Sequence, residues 1–203
     1  MHKEILDDHQ IKLLPLVKEF KRTFYLAGGT AIALHIGHRR SIDFDLFRKA
    51  AINHKLVLDK INSFNHKPII MRRVSEQINL VVDNVKFTFF QYPFDVEMSV
   101  KFENFISLPP LLDLAAMKAY AMGRRSKWKD YVDLYFILTQ YYTINEIAKR
   151  ASEIFGDLFS EKQFRAQLCY FDDVDYTEEV EFICKPVAQT EIKDKLTLLA
   201  SQF

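Results

Sequence analysis

The chain is predicted to fold as an α+β protein, with a small mixed sheet and flanking helices over residues 1–108 and a mostly helical part over 109–203. Three observations predict this. A short apolar run at 24–27 ends in Gly28-Gly29 and passes into helical character at 30–36. Apolar and polar residues then alternate with the two-residue period of a strand at 42–47 and again between 78 and 92. After Pro109-Pro110 only helical patterns follow.

Composition bounds the functional classes. With 203 residues, 49% of them hydrophobic, and with 18 Phe and 9 Tyr, the chain can bury a substantial core. That excludes a disordered tail. A formal net charge of +1 argues neither for nor against a nucleic-acid partner, so any basic surface must be local. Cys169 and Cys184 have no metal-ligand spacing and make no disulfide framework, so a reducing compartment is expected. His2, Lys3, Glu4, Asp7 and Asp8 interrupt any signal-like stretch, and no apolar run is long enough to span a bilayer. A cytoplasmic location without membrane association is the expectation.

Along the chain, residues 8–22 read as an amphipathic helix in which Pro15 predicts a kink or a later start. The strand-turn-helix at 24–36 follows. Its glycines let the backbone approach a ligand closely, and the first turn of its helix offers unpaired N–H groups and a positive dipole end to a phosphate chain. Thr30 is placed to cap this helix or to bind a phosphate oxygen. On the next strand Asp43 and Asp45 share one face, their Cβ atoms about 6–7 Å apart. That spacing suits one Mg²⁺, or a two-ion clamp with ions about 3.5–4 Å apart. Ile42, Phe44, Leu46 and Phe47 make the strand largely buried, so its carboxylates need a reason to be there. Alone, a Gly-Gly is usually a turn and two aspartates a solvated face; joined at this spacing they point to a nucleotide site. Arg39 and Arg40 lie between turn and carboxylates, and contact with nucleotide or acceptor is favoured over a solvated turn. A helix at 54–64 precedes strand-like sequence from 67 to 92, with Asp83-Asn84 as a two-residue hairpin turn.

In the helical part, Lys118 falls within the apolar stripe of Leu111, Leu114, Ala115, Ala119 and Met122. Either its stem snorkels at the edge of the stripe, or its ammonium is directed inward to a triphosphate or an aspartate. The helix at 126–142 is apolar nearly all round and should be central. Asp130, in its first turns, reads as a complement to the helix dipole. Asp133 lies three residues on and deeper, so it requires a cation or a chemical task. Lys118 or an arginine of the 124–125 pair can supply the cation, which keeps a structural salt bridge open. Trp128 can stack on a base or anchor the helix start in the core. Segments at 143–156, 160–170 and 188–202 read as further helices, joined by acidic turns without a calcium-loop pattern.

The segment FYLAGGTAIALHIGHRRSIDFDLF resembles the signature of the AbiEii/AbiGii nucleotidyltransferase-like toxins, a branch of the DNA polymerase beta-type nucleotidyltransferase superfamily. DLAAMKAYAMGRRSKWKDYVDLYFIL resembles the family's later motif, from a helical lysine through a basic turn to an aspartate-bearing helix. With the linking strand VKFTFFQYPF the similarity covers about residues 20–140. The resemblance implies a nucleotidyltransferase-like sheet and a Mg²⁺-dependent enzyme that moves a nucleoside monophosphate from a triphosphate to an acceptor hydroxyl. It further implies a toxin–antitoxin or abortive-infection role, an RNA acceptor such as tRNA, and a cognate antitoxin. In these terms Gly28, Gly29 and Thr30 cradle the phosphates, and Asp43 and Asp45 hold metal. Lys118 neutralises phosphate charge, Asp133 orients that lysine or acts as a base, and Arg39, Arg40 and Arg125 contact nucleotide or acceptor. Where the superfamily commonly has a third carboxylate in mid-strand, this chain has Thr88, on a face with Lys86 and Phe90; Asp83 is too close to the turn to replace it, and Asp95 or Glu97 is the other candidate if the strand continues past Pro93. That leaves one well-held ion or a weakened site as readings beside the two-ion clamp. A catalytically degenerate module that binds nucleotide or a partner, and a kinase-like phosphotransferase, stay open as other classes.

Overall fold

The computed structural model describes residues 1–122 and 124–202. The chain divides into two compact units, Met1–Pro110 and Leu111–Phe203.

In the first unit, helix α1 (Asp8–Lys18) opens with a reciprocal capping box, in which the Asp7 side chain accepts from the Gln10 N–H and the Gln10 side chain accepts from the Asp7 N–H. Pro15 lies inside this helix, which ends within a turn of it, earlier than the expected residue 22. Next come β1 (Tyr25–Ala27), α2 (Gly28–Ile36), β2 (Asp43–Arg48) and α3 (His54–Ser63). Strands β3 (Ile69–Val74), β4 (Gln77–Val82) and β5 (Val85–Gln91) complete a mixed sheet of order β1-β2-β5-β4-β3. Only β2 and β5 run parallel, which is possible because α3, β3 and β4 form the long connection that a parallel pair needs. Asp83 and Asn84, at φ +47° and +68°, join β4 to β5 in the left-handed conformation of a type I′ turn, as their identity predicts.

The alternation of β2, β4 and β5 assigns the two faces of the sheet. Phe44, Leu46, Ile78, Leu80, Phe87 and Phe89 are buried on one face, where Phe20 and Phe24 meet Phe89 edge-on at 4.8 and 5.2 Å between ring centroids. Val57 and Ile61 of α3 are buried as well. Asp43 and Asp45 alternate with these core residues on the opposite face. A two-stranded hairpin of β6 (Val100–Phe102) and β7 (Ile106–Leu108) was not anticipated. Its strands are only three residues long, and its turn puts Glu103, a residue without turn preference, at φ +48°.

The second unit is helical: α4 (Leu111–Met122), α5 (Trp128–Gln140), α6 (Ile144–Phe155), α7 (Glu161–Leu168) and α8 (Gln189–Ser201). α5 is buried from Trp128 to Leu138 apart from the half-buried Lys129, as its all-round apolar pattern predicts. A second capping box, Thr143 with Glu146, starts α6. Arg165 of α7 donates to the carbonyls of Ala200 and Gln202 at 3.3 and 2.9 Å, satisfying acceptors left open at the end of α8. No helix of the described residues is long and apolar enough to cross a membrane.

Truncating Phe44, 1% exposed, to Ala should lower unfolding stability by about 3–5 kcal/mol. Thr143→Ala should cost about 1 kcal/mol. Denaturant titration of both variants checks the two values against each other.

Candidate functional site

The site of the first unit begins where β1 meets α2. The helix starts at Gly28 with Ala27 as its N-cap, a residue whose side chain cannot cap the first-turn N–H groups. Gly28 has φ +68°, and a Cβ there would run into Oδ2 of Asp45 and sit 3.0 Å from its Cγ. A Cβ on Gly29 would lie 2.6 Å from Arg39 Nη2 and 3.2 Å from Ser41 Oγ. Gly28 is therefore required by its backbone conformation and its approach to a carboxylate, while Gly29 lets a guanidinium come close.

Thr30 corrects an expectation. It lies inside α2, 1% exposed, and does not cap the helix. Its hydroxyl lies 2.9 Å from Ser41 Oγ and donates to the backbone carbonyl of Asp43. That bond ties the helix to the first residue of β2 and so holds the carboxylate strand against the glycine turn. Only its backbone N–H remains to face a phosphate.

On β2, Asp45 is flanked by Ala27 of β1 and Thr88 of β5, while Asp43 stands opposite Lys86. Lys86 Nζ is 3.7 Å from Asp43 Oδ2, with the two side chains 45% and 37% exposed. Asn79 faces Thr88 from β4 and accepts from Gln77 Nε2 at 2.7 Å. The row of side chains beside the two aspartates thus contains no third carboxylate. Among the described residues no group of three or more His, Cys, Asp and Glu is disposed to hold a metal. Asp95 pairs with Lys49 at 2.5 Å and is largely exposed, and Asp83 pairs with His66 at the hairpin turn, so neither replaces it. The two aspartates still fit Mg²⁺, which one or two carboxylates commonly hold while substrate phosphates and water complete its shell.

The adjacent arginines separate. Arg39 is buried, donates through Nη1 to the Arg40 carbonyl at 2.9 Å, and brings Nη2 to the glycine turn. Arg40 reaches instead to the carbonyls of Glu4 and Leu6, at 3.4 and 3.5 Å.

The second unit carries a buried charge cluster. Lys118 Nζ lies 2.7 Å from Asp130 Oδ1 and 3.0 Å from Asp133 Oδ2, with all three side chains at most 4% exposed. The ammonium is directed inward and does not snorkel. Asp130 is more than a dipole complement: it also accepts from Arg125 Nε at 3.0 Å. The three-residue spacing puts Asp130 and Asp133 on one side of α5, and the lysine in the apolar stripe of α4 is the sequence signal that an anion is needed there. The rest of the basic turn is structural. Arg124 lies over the Tyr120 ring at 3.6 Å, and Lys127 pairs with Glu178. Trp128 is buried against Tyr131 and Tyr176, so it anchors the helix start and does not present a stacking face.

The sequence matches the family described as "Nucleotidyl transferase AbiEii toxin, Type IV TA system" over residues 16–195. A protein of Aquifex aeolicus (strain VF5), described as uncharacterized, is 28% identical over 186 residues, covering 78% of this chain and 82% of that protein. The fold is similar to that of JHP933 from Helicobacter pylori, with a TM-score of 0.59 at 17% identity over 95% of this chain and 89% of that one. It is also similar to MenT4, a nucleotidyltransferase toxin from Mycobacterium tuberculosis H37Rv, with a TM-score of 0.62 at 13% identity over 94% of this chain and 81% of that one. At these identities the structural likeness concerns the fold alone.

Removing the cation from the buried cluster should be far more costly than removing its exposed neighbour. Lys118→Met leaves two buried carboxylates without their shared ammonium and should lose about 3–5 kcal/mol. Arg125→Met, whose side chain is 52% exposed, should lose less than about 1 kcal/mol in the same denaturant titration.

Proposed function

The chain belongs to the AbiEii nucleotidyltransferase toxin family, and from that premise we propose that it transfers a nucleoside monophosphate from a nucleoside triphosphate to an acceptor hydroxyl. The acceptor we propose is an RNA, a tRNA end in particular, the compartment the cytoplasm, and the controlling partner a cognate antitoxin. One observation carries the reading: the Asp45 carboxylate is packed against Gly28, at the uncapped start of α2. In this reading the groups proposed to bind phosphate and those proposed to bind metal are neighbours.

The first-turn N–H groups of Gly28, Gly29 and Thr30 would donate to phosphate oxygens, and the Arg39 guanidinium beside Gly29 would add charge-assisted donors. Asp43 and Asp45 would hold Mg²⁺, which when bound supplies positive charge to the phosphate oxygens and makes a hydroxyl a better nucleophile. In the transfer, the acceptor oxygen forms a bond to the α-phosphorus, the bond to the pyrophosphate oxygen breaks, and the hydroxyl proton passes to a base. To Lys118 we assign neutralisation of phosphate charge, and to Asp133 the orientation of its ammonium. The support for this assignment is the match to the family's lysine-to-aspartate motif; Lys118 also has a structural part, since it is buried between Asp130 and Asp133. Arg40 and Arg125 we assign to contact with nucleotide or acceptor, alongside their contacts to the Glu4 and Leu6 carbonyls and to Asp130.

Thr88 in place of a carboxylate favours a second reading, a nucleotide-binding module that performs no transfer. Tight triphosphate binding without pyrophosphate release would identify it.

Incubation with each α-³²P-labelled triphosphate, Mg²⁺ and total bacterial RNA should label tRNA-sized species and release pyrophosphate. Asp43→Ala should abolish labelling while leaving the circular dichroism spectrum unchanged. Full labelling by the variant would remove Asp43 from the site, and release of the nucleoside diphosphate in place of pyrophosphate would point to kinase chemistry.

A further inference from the structure

We propose that Lys86 is a specificity-determining residue of the nucleotide site, its ammonium standing in for a second metal ion so that the site takes one divalent cation per chain. The proposal rests on the reading of Asp43 and Asp45 as metal ligands.

The register of the sheet decides which side chains can join the two aspartates. In the parallel β2–β5 pair, Asp43 faces Lys86 and Asp45 faces Thr88; on the other side of β2, Asp45 faces Ala27. A cation, a hydroxyl and a methyl thus occupy the neighbouring positions. Two divalent ions about 3.5–4 Å apart repel strongly and need shared anionic ligands to hold them. Here the two carboxylates carry two negative charges, and no third acidic group or histidine joins them among the described residues. One of the two is already faced by an ammonium, with Lys86 Nζ 3.7 Å from Asp43 Oδ2. Lys86 makes no other ion pair or hydrogen bond that would hold it elsewhere among the described residues. A lysine suits this position because its charge is compact and its three donors rotate, so it can rest on Asp43 and turn to a phosphate or acceptor oxygen without leaving the site. Its side chain is 45% exposed, which leaves it room to do so.

The test is a Mn²⁺ titration of the protein, with free Mn²⁺ read by its electron paramagnetic resonance signal, and folding of each variant checked by circular dichroism. The wild type should bind one Mn²⁺ per chain, and Asp43→Asn should lose it. Lys86→Met should bind one ion about tenfold more tightly, since a like charge has left the ligand. Lys86→Glu should gain a second ion. Lys60→Met, which removes an ammonium engaged with the Glu19 carbonyl on α3, should change the affinity less than twofold. Two ions bound by the wild type, or a Lys86→Met affinity no different from that of Lys60→Met, would overturn the role of Lys86 and leave the metal site standing. Absence of Mn²⁺ binding in the wild type and in both Lys86 variants would overturn the metal site as well.

Discussion

The carboxylate of Asp45 occupies the space that a Cβ on Gly28, a residue at φ +68°, would need, and the arrangement of the candidate site depends on that approach. It requires β1 and β2 to be antiparallel neighbours with Ala27 level with Asp45. It requires the helix to begin at once after Ala27, whose side chain is too short to cap it. It also requires β2 to be held from its first residue, which the buried Thr30 hydroxyl does through the Asp43 carbonyl. The glycine turn and the carboxylate strand are thus one mechanical unit.

The second unit shows the same economy with charge in a different setting. α5 is buried nearly all round, and an aspartate in such a helix is tolerated only with a cation at hydrogen-bonding distance. Lys118 meets that need twice over, and Arg125 adds a half-exposed third connection. The cluster joins α4 to α5 through charge where the surrounding contacts are apolar. Its three members are coupled: removing one changes the electrostatic environment of the other two.

Local chemistry accounts for which elements were legible in advance. Asp83-Asn84 reads as a hairpin turn because these side chains tolerate positive φ, and both residues adopt it. The strand periodicity of β2 and β5 was clear because one face had to be buried against Phe20 and Phe24. The β6–β7 hairpin lacked both signals, being too short for a period and turning at Glu103. A threonine after two glycines looks like a cap, and only the return of the chain at Ser41 and Asp43 shows that the Thr30 hydroxyl is used across the fold.

The α+β class, the glycine turn, and the shared face of Asp43 and Asp45 are readable from the residues alone, since each follows from backbone geometry within a few positions. Membership of the nucleotidyltransferase toxin family was legible in the same way, because its motifs are local. Only the tertiary structure decided the partners. Periodicity gives the face on which a side chain lies but not the residue it meets, so the pairing of Lys118 with both aspartates, the placing of Arg39 at the turn while Arg40 turns away, and the setting of Lys86 against Asp43 required strand register and helix packing. Those contacts join residues far apart in the chain, and their geometry exists only once the intervening elements have folded between them.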